Sequence, residues 1–174
     1  MNSKTILRNN AKTIRKTLDM RSISEAVVSQ ILALDPYNSA SHVMMFYPMA
    51  NEINILGLLK SDKNFYFPRV NGDMLEVCPY KYGDELKKSE FNVFEPCTDA
   101  VDKSIIDIVF VPALMADKRF YRLGYGGGFY DRFLSDLNAL KLVVVPEELV
   151  VDTLITDSFD VKCDGMITQK KASF

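Results

Sequence analysis

The stretch Arg122-Leu-Gly-Tyr-Gly-Gly-Gly-Phe-Tyr-Asp-Arg132 holds four of the eight glycines in this chain of 174 residues. Glycine costs conformational entropy to order, so glycines cluster where the backbone takes a positive φ or approaches a ligand closely. The apolar residues that follow recur at helical spacing, which predicts a helix directly after the glycines. Free N–H groups and the helix dipole favour a phosphate at such a turn. The pattern predicts a nucleotide phosphate loop.

A flexible connector is the competing interpretation of a glycine run. A connector does not explain the buried helical face that follows, which is formed by Phe129, Tyr130, Phe133, Leu134 and Leu137. The usual fingerprints are absent, since G-x-G-x-x-G from Gly124 would need a glycine at Phe129, and no G-x-x-x-x-G-K-[ST] occurs. The common dinucleotide and P-loop folds are therefore disfavoured.

Apolar runs alternate with helical patterns along the chain. Three helices are predicted. The first covers Lys4 to about Leu18 and the third covers Asn51 to Lys60. The second opens with the capping-box spacing Ser22 to Glu25 and ends at Asp35-Pro36. Predicted strands cover His42 to Tyr47, Phe65 to Val70, Met74 to Tyr80, Ile105 to Val111, Leu142 to Val145 and Gly165 to Thr168. Asn71-Gly72 predicts a hairpin, and Pro68 predicts an edge or short strand. The alternation predicts an α/β fold: a single three-layer domain over residues 1–174, with a largely parallel central sheet flanked by helices.

The composition narrows the function classes. The formal net charge of −2 argues against a protein that coats nucleic acid. Cys78, Cys97 and Cys163 form no C-x-x-C pair, so reduced thiols are expected. A polar, basic start and the lack of a long apolar run predict a cytoplasmic protein with no membrane and no nucleic-acid partner.

Several residues outside the glycine stretch have two interpretations each. Lys4, Arg8 and Lys12 recur every fourth residue, and Arg15 and Lys16 continue this helix face. It is either a solvated basic face or one from which Lys4 and Arg8 reach the phosphates of a nucleotide. Glu52 either complements a helix dipole or lies in a cleft. Tyr47 either stacks on the flat ring of a ligand or belongs to the core. Asp160 either forms a turn or binds Mg²⁺ together with Asp131. His42, the only histidine, is expected to be structural.

Together these pieces resemble the 5-formyltetrahydrofolate cyclo-ligase family, also called 5,10-methenyltetrahydrofolate synthetase. The matching motifs run over nearly the whole chain: Lys4-Thr-Ile-Leu-Arg8, Tyr47-Pro-Met-Ala-Asn-Glu52, Phe67-Pro68-Arg69, Glu95-Pro96, Val111-Pro112 through Asp117 to Asp131-Arg132, and Phe159-Asp160-Val161. Two positions depart from the family pattern, where Phe129 replaces a frequent tyrosine and Gly127 replaces a cationic residue of some members.

The resemblance implies a reaction and a role for each matching residue. The family converts 5-formyltetrahydrofolate and ATP into 5,10-methenyltetrahydrofolate, ADP and phosphate, through phosphorylation of the formyl oxygen. ATP would be bound by Lys4, Arg8, Arg122, Leu123, Gly124, Tyr125, Gly126, Gly127, Gly128, Phe129 and Tyr130. The folate would contact Tyr47, Glu52, Tyr125, Gly126, Gly127, Gly128 and Phe129, and Mg²⁺ would be held by Asp131 and Asp160. We assign catalysis to Glu52, Tyr130 and Arg122.

Two other functions stay open on the sequence. One is a sugar-phosphate isomerase or acyl-transfer-like α/β enzyme, because a fold does not determine a function. The other is a non-enzymatic nucleotide- or RNA-binding module that uses the basic face of the first helix. For the ligase we expect a substrate with or without a polyglutamate tail, and a monomer or weak homodimer.

Overall fold

A computed structural model describes residues 3–174 and has a seven-stranded sheet at its centre. The strand order is β12-β11-β9-β6-β1-β2-β3, and all neighbours are parallel except β2 with β3 and β11 with β12. These strands are β1 (His42–Met44), β2 (Asn64–Asn71), β3 (Met74–Tyr80), β6 (Ile108–Pro112), β9 (Leu140–Val144), β11 (Gly165–Ile167) and β12 (Ala172–Ser173). The predicted α/β class with a largely parallel central sheet is confirmed.

Smaller elements complete the fold. A three-stranded sheet has the order β10-β7-β8, and β4 pairs with β5. The bounds are β4 (Leu86–Lys88), β5 (Phe94–Pro96), β7 (Met115–Asp117), β8 (Arg122–Leu123) and β10 (Val150–Val151). The α-helices are α1 (Ser3–Arg15), α2 (Met20–Leu32), α3 (Asp35–Ser39) and α4 (Phe129–Leu134), and short 3-10 helices span Leu56–Lys60, Lys103–Ile105 and Glu147–Leu149. None of the helices in the described range 3–174 is long and apolar enough to cross a membrane.

The central sheet is buried on both faces. Along β6, Ile108 and Phe110 pack in the cluster that contains residues of α2, whereas Val109 and Val111 pack in the cluster that contains Ala11 of α1. All four strand residues are almost completely buried. Successive side chains of a strand point to opposite faces, so one continuous β-branched and aromatic run fills both layers of core. Helices therefore cover both faces of the sheet.

The glycine stretch follows the central strand. After β6 the chain forms β7, turns back as β8 and enters the glycines, which lead into α4. Because β6 lies between β1 and β9 in the middle of a parallel sheet, this segment emerges at the carboxyl end of the sheet. Ligands of open α/β sheets bind beyond this end.

The helix boundaries differ from the predictions. α1 ends at Arg15 rather than Leu18, and α2 begins at Met20 with Asp19 as its cap. The Asp19 carboxylate accepts a hydrogen bond from the N–H of Ser22 at 3.1 Å, so the capping box at Ser22 was wrong. Asp35-Pro36 opens the short α3 instead of only ending α2, since proline is well suited to the first turn of a helix.

The predicted helix from Asn51 to Lys60 was also wrong. Asn51 has a φ of 63°, in the left-handed region, and only Leu56–Lys60 form a 3-10 helix. A residue in this region does not start a right-handed helix, although asparagine tolerates it better than most. Glu52 therefore lies in a turn and not in the first turn of a helix.

The hairpin at Asn71-Gly72 is confirmed, but the prediction for Pro68 was wrong. β2 is eight residues long and lies inside the sheet, between β1 and β3. β1 pairs only with Asn64 to Tyr66, so Pro68 lies beyond the end of that pairing. The missing proline N–H therefore costs the sheet little on that side.

Candidate functional site

The glycine turn has a conformation that other residues would not adopt easily. Gly126 and Gly128 have φ angles of 108° and 70°. A Cβ added at Gly127 would lie 2.8 Å from the Phe129 ring, and one added at Gly128 would lie 2.7 Å from a guanidinium nitrogen of Arg132. Gly128 is the N-cap of α4, so the predicted helix after the glycines is present, although it has only six residues. The glycine turn therefore has a defined conformation that depends on glycine, which argues against a flexible connector.

Two arginines contact this turn, one from a helix that precedes it in the sequence and one from the helix that follows it. Arg8 of α1 donates from Nε to the carbonyl oxygen of Gly124 at 2.9 Å, and its guanidinium lies beside Gly126. Arg132 of α4 donates to the carbonyl oxygens of Gly127 at 2.9 Å and Asp73 at 2.8 Å. The two cations give the turn the positive environment that a phosphate requires.

A cavity of about 640 Å³ opens in front of the turn. The three glycines Gly126 to Gly128, Asp131 and Arg132 line one part of it, and the segment Ser158 to Val161 lines the other. The volume lies within the range of small-molecule sites, roughly 300 to 1,000 Å³. Both predicted metal ligands therefore border the same cavity as the glycines.

Asp131 is held in place by buried partners. Its Oδ1 accepts hydrogen bonds from Arg122 at 3.0 Å and from the N–H of Val161 at 2.9 Å. Arg122 also donates to the carbonyl oxygen of Val161 at 3.0 Å, and its side chain is only 4 % exposed. Arg122, predicted to bind ATP and to act in catalysis, thus contacts Asp131 directly and fixes its orientation.

Asp160 is paired with the cation at the start of α1. Lys4 donates to Oδ2 of Asp160 at 2.7 Å and to Oδ2 of Asp157 at 2.6 Å. Burial alone would lower the pKa of Lys4, but the hydrogen bonds and charges of the two aspartates outweigh it and raise that pKa. The pairing fastens α1 to the loop opposite the glycine turn. Sequence reasoning named both Lys4 and Asp160 without predicting that they bind each other.

The carboxylates offer a limited set of metal ligands. Residues 3–174 contain no group of three or more His, Cys, Asp or Glu side chains placed to hold a metal ion. The hydrogen bonds that described residues donate to Asp131 end on Oδ1, and those donated to Asp160 end on Oδ2. Each carboxylate therefore has its second oxygen available, which suits Mg²⁺ bound by one or two carboxylates together with substrate phosphates.

Glu52 joins a separate segment to the glycine turn. Its carboxylate is buried and accepts hydrogen bonds from the Tyr125 hydroxyl at 2.9 Å and from the N–H of Met49 at 2.8 Å. Burial raises the pKa of Glu52, while these hydrogen bonds and the charge of Arg15 oppose the rise. The Tyr125 ring is 42 % exposed, with the Lys12 ammonium 5.9 Å from its centroid. An acceptor and a flat exposed ring therefore lie side by side.

The prediction that Arg15 continues the basic face of the first helix was wrong, because the structure buries it. It is 4 % exposed and donates to the carbonyl oxygens of Asn51 at 3.1 Å, Leu114 at 3.5 Å and Ala113. Its Nε is buried without a hydrogen-bond partner in the described chain. The signal was present in the spacing: Leu7, Ala11 and Arg15 lie four residues apart on the buried face of α1 rather than on its basic face.

The remaining candidates are more loosely related to the cavity. Tyr47 is half-buried and makes edge contacts with Phe67 and Phe94, with centroids 5.9 and 5.3 Å apart, so the described contacts place it in an aromatic cluster. Tyr130 is half-buried, and burial raises its pKa. Phe129 stacks edge-on with Phe91 and lies under Arg132.

Two further candidates are structural. Leu123 is buried in the core below the turn. His42 bonds the Tyr66 hydroxyl at 2.7 Å, at the start of β1, which is the structural role that the sequence predicted.

The chain is similar in sequence to known proteins. The chain is 27 % identical to a 5-formyltetrahydrofolate cyclo-ligase of Haemophilus influenzae over 157 residues, which cover 83 % of this chain and 84 % of the relative. It is 22 % identical to the mouse 5-formyltetrahydrofolate cyclo-ligase over 161 residues, covering 81 % and 79 % of the two chains.

Solved structures agree with these matches. The 5,10-methenyltetrahydrofolate synthetase of Aquifex aeolicus superimposes with a TM-score of 0.87 and 27 % identity, covering 98 % of this chain and 91 % of that one. The 5,10-methenyltetrahydrofolate synthetase of Mycoplasma pneumoniae, at 21 % identity, shares the fold with a TM-score of 0.79 over 97 % of this chain and 99 % of that one. The model of the 5-formyltetrahydrofolate cyclo-ligase family matches residues 1–169. This chain is therefore a member of the 5-formyltetrahydrofolate cyclo-ligase family.

Proposed function

We propose that this protein catalyses the ATP-dependent cyclisation of 5-formyltetrahydrofolate to 5,10-methenyltetrahydrofolate, with release of ADP and phosphate. One observation carries the proposal: the cavity in front of the glycine turn is lined by three glycines, Arg132 and the carboxylates of Asp131 and Asp160, and Arg8 lies beside Gly126. Phosphoryl transfer requires mainly positioning and neutralisation of charge, and these groups supply both. No described feature favours the isomerase-like or RNA-binding alternatives.

The phosphates of ATP are proposed to lie on the glycine turn. Gly126 and Gly128 let the main chain approach the phosphates closely, and Arg8 and Arg132 lie beside those glycines to neutralise their charge. Lys4 borders the opposite side through its pair with Asp160. The rest of the stretch from Arg122 to Tyr130 supports this surface, with Leu123 in the core.

Mg²⁺ is proposed to bind between Asp131 and Asp160, through the carboxylate oxygens that the described hydrogen bonds leave available. The ion would neutralise phosphate charge. Lys4 pairs with both Asp157 and Asp160, and we expect bound phosphate to draw its ammonium away from Asp160. Arg122, which is nearly buried, is proposed to act by holding Asp131 in this orientation and not by touching ATP.

The folate is proposed to bind beside Glu52, Tyr125 and the exposed glycines, with Phe129 and Tyr47 as apolar surface. The Glu52 carboxylate accepts hydrogen bonds, so it can receive N–H groups of the pterin and orient the formyl group toward the γ-phosphate. The Tyr130 hydroxyl is protonated at neutral pH, as burial raises its pKa further above the usual value, and it can donate a hydrogen bond there. The formyl oxygen would attack the γ-phosphorus and displace ADP. The neighbouring amine would then bond to the activated formyl carbon and lose its proton, and the C–O bond would break to release phosphate. This sequence needs no protein nucleophile.

The direct test follows the absorbance of the methenyl product formed from 5-formyltetrahydrofolate. Product should form with Mg²⁺ and ATP together, and not when either is omitted. ADP and phosphate should appear in equal amounts with it. No product at high protein concentration, from protein shown to be folded, would refute the proposal.

We also propose that the protein works in the cytoplasm as a monomer or weak homodimer, on folates with or without a polyglutamate tail. The three cysteines Cys78, Cys97 and Cys163 are free thiols, which supports a reducing compartment. The net charge of −2 supports a small-molecule substrate rather than a nucleic acid.

A further inference from the structure

We infer that Arg15 is a positioning residue for the proposed reaction: it ties the segment that carries Glu52 to the end of the central strand and supplies the buried positive charge that Glu52 faces. Only the expected effect of Arg15 on turnover rests on the proposed function. The coupling between Arg15 and Glu52 is a property of the unliganded protein.

Arg15 joins two distant segments of the chain. One guanidinium binds main-chain oxygens of two distant segments, Asn51 on one side and Ala113 with Leu114 on the other. Asn51 directly precedes Glu52 and has a φ of 63°, a conformation that non-glycine residues hold only with tertiary support. Ala113 directly follows β6. Arg15 therefore sets where the Glu52 segment lies relative to the carboxyl end of the sheet.

The guanidinium of Arg15 is also a buried positive charge. None of the ion pairs among the described residues involves Arg15, and its Nε has no hydrogen-bond partner although it is buried. A buried cation without a paired anion is costly, and a purely structural tie between carbonyl oxygens would not require one. Burial lowers the pKa of Arg15, and the nearby Tyr125 hydroxyl and Glu52 carboxylate oppose that lowering. Because the protein keeps this buried positive charge despite its desolvation cost, we expect the charge itself to have a role.

The surroundings of Glu52 leave Arg15 as its buried cation. Tyr125 faces Glu52 from the glycine turn, Tyr130 from α4 and the N–H of Met49 from the adjacent chain. On α2, Arg21 and Glu25 border the same cavity of about 550 Å³ as Glu52. Those two form an exposed pair with each other at 3.3 Å, so their charges are screened by solvent. Among the described residues that surround Glu52, only Arg15 is both positively charged and almost completely buried.

The test separates charge from tethering with two variants, Arg15→Lys and Arg15→Gln. Lysine keeps the charge, and glutamine keeps an N–H donor without it. The pH at which Glu52 titrates is read from the ¹³C NMR signal of its side-chain carboxyl in unliganded protein, assigned with Glu52→Gln. We expect Arg15→Gln to move the Glu52 titration to higher pH by about one unit or more, and Arg15→Lys to leave it within a few tenths of a unit.

Turnover gives the second readout. In Arg15→Gln the KM for 5-formyltetrahydrofolate should rise about tenfold and the acid limb of the kcat/KM profile should shift upward in pH, while the KM for ATP changes less than twofold. The matched control is Arg69→Met, because Arg69 also ties two carbonyl oxygens, those of Pro96 at 3.2 Å and Thr98 at 2.6 Å, but outside the cavity. Arg69→Met should lower the melting temperature and leave the Glu52 titration unmoved.

An unchanged Glu52 titration in folded Arg15→Gln would overturn the inference, as would equal shifts in both Arg15 variants or a shift in the Arg69 control. If Arg15→Gln does not fold, a Glu52 titration shifted by a unit in Arg15→Lys would also contradict it. Absence of methenyl product from the wild type, with the titration shift present, would instead refute the proposed function and leave the Arg15–Glu52 coupling standing.

Discussion

Asp131→Asn tests the proposed metal ligand while disturbing the fold as little as the structure allows. The hydrogen bonds from Arg122 and Val161 both end on Oδ1, and the amide oxygen of asparagine can accept both. The oxygen proposed for Mg²⁺ becomes a neutral NH₂ group, which cannot bind a cation. The substitution also removes the negative charge beside Arg122, which is 4 % exposed.

The expected loss of stability is modest. A charge-assisted hydrogen bond is about twice as strong as a neutral one, so the Arg122 contact should weaken by about 1 to 2 kcal/mol. For a chain of this length, 1 kcal/mol corresponds to about 2 to 4 °C, so the melting temperature should fall by about 2 to 8 °C. Turnover should fall far more, by about 10² to 10³-fold, as expected when a group that stabilises transition-state charge is removed.

The assay measures methenyl product against Mg²⁺ concentration at saturating ATP. Asp136→Asn is the matched control, because Asp136 lies just after α4 and pairs with Lys103 at an exposed site outside the cavity. Its activity should equal that of the wild type. Near-native turnover of Asp131→Asn, with an unchanged Mg²⁺ requirement, would refute the reasoning that places a metal on this carboxylate.

Two further substitutions probe the turn and the buried glutamate. In Gly128→Ala the new residue would have a φ of 70° and its Cβ would lie 2.7 Å from a side-chain nitrogen of Arg132, so the apparent ATP affinity should fall at least tenfold. The control is Gly72→Ala, which is also at positive φ but in open space. It should lower the free energy of unfolding by about 1 kcal/mol and leave the ATP affinity unchanged. Burial raises the pKa of Glu52 in the folded state, so its contribution to stability is full below the unfolded pKa and is lost as the pH rises through the folded pKa. Melting curves should therefore show Glu52→Gln gaining stability relative to the wild type from pH 4 to pH 7, and a pH-independent difference would contradict the raised pKa.

Local patterns explain why much of the fold could be predicted. The run that became β6 is apolar and rich in β-branched residues, which is typical of a strand buried on both faces. Asn71-Gly72 is a strong local signal for the hairpin that follows β2. The glycine turn was recognisable for the same reason, since its conformation requires glycine at Gly126 and Gly128.

Tertiary contacts explain the errors. The segment from Asn51 had a helical pattern, but the bond from Arg15 to the Asn51 carbonyl oxygen stabilises a left-handed residue there. Arg15 itself looked like one more solvated cation, because burial of a guanidinium depends on carbonyl oxygens that lie far away in sequence. The pairing of Lys4 with Asp160 joins the two ends of the chain, and no local rule predicts it.

The central claim is that the glycine turn holds the triphosphate of ATP with its metal. A structure of the protein with Mg²⁺ and a non-hydrolysable ATP analogue tests it most directly. We predict phosphate oxygens on the main chain of Gly126 to Gly128, Mg²⁺ on Asp131 and Asp160, and the Lys4 ammonium moved from Asp160 to a phosphate. Nucleotide bound elsewhere, with Lys4 still on Asp160, would contradict the account.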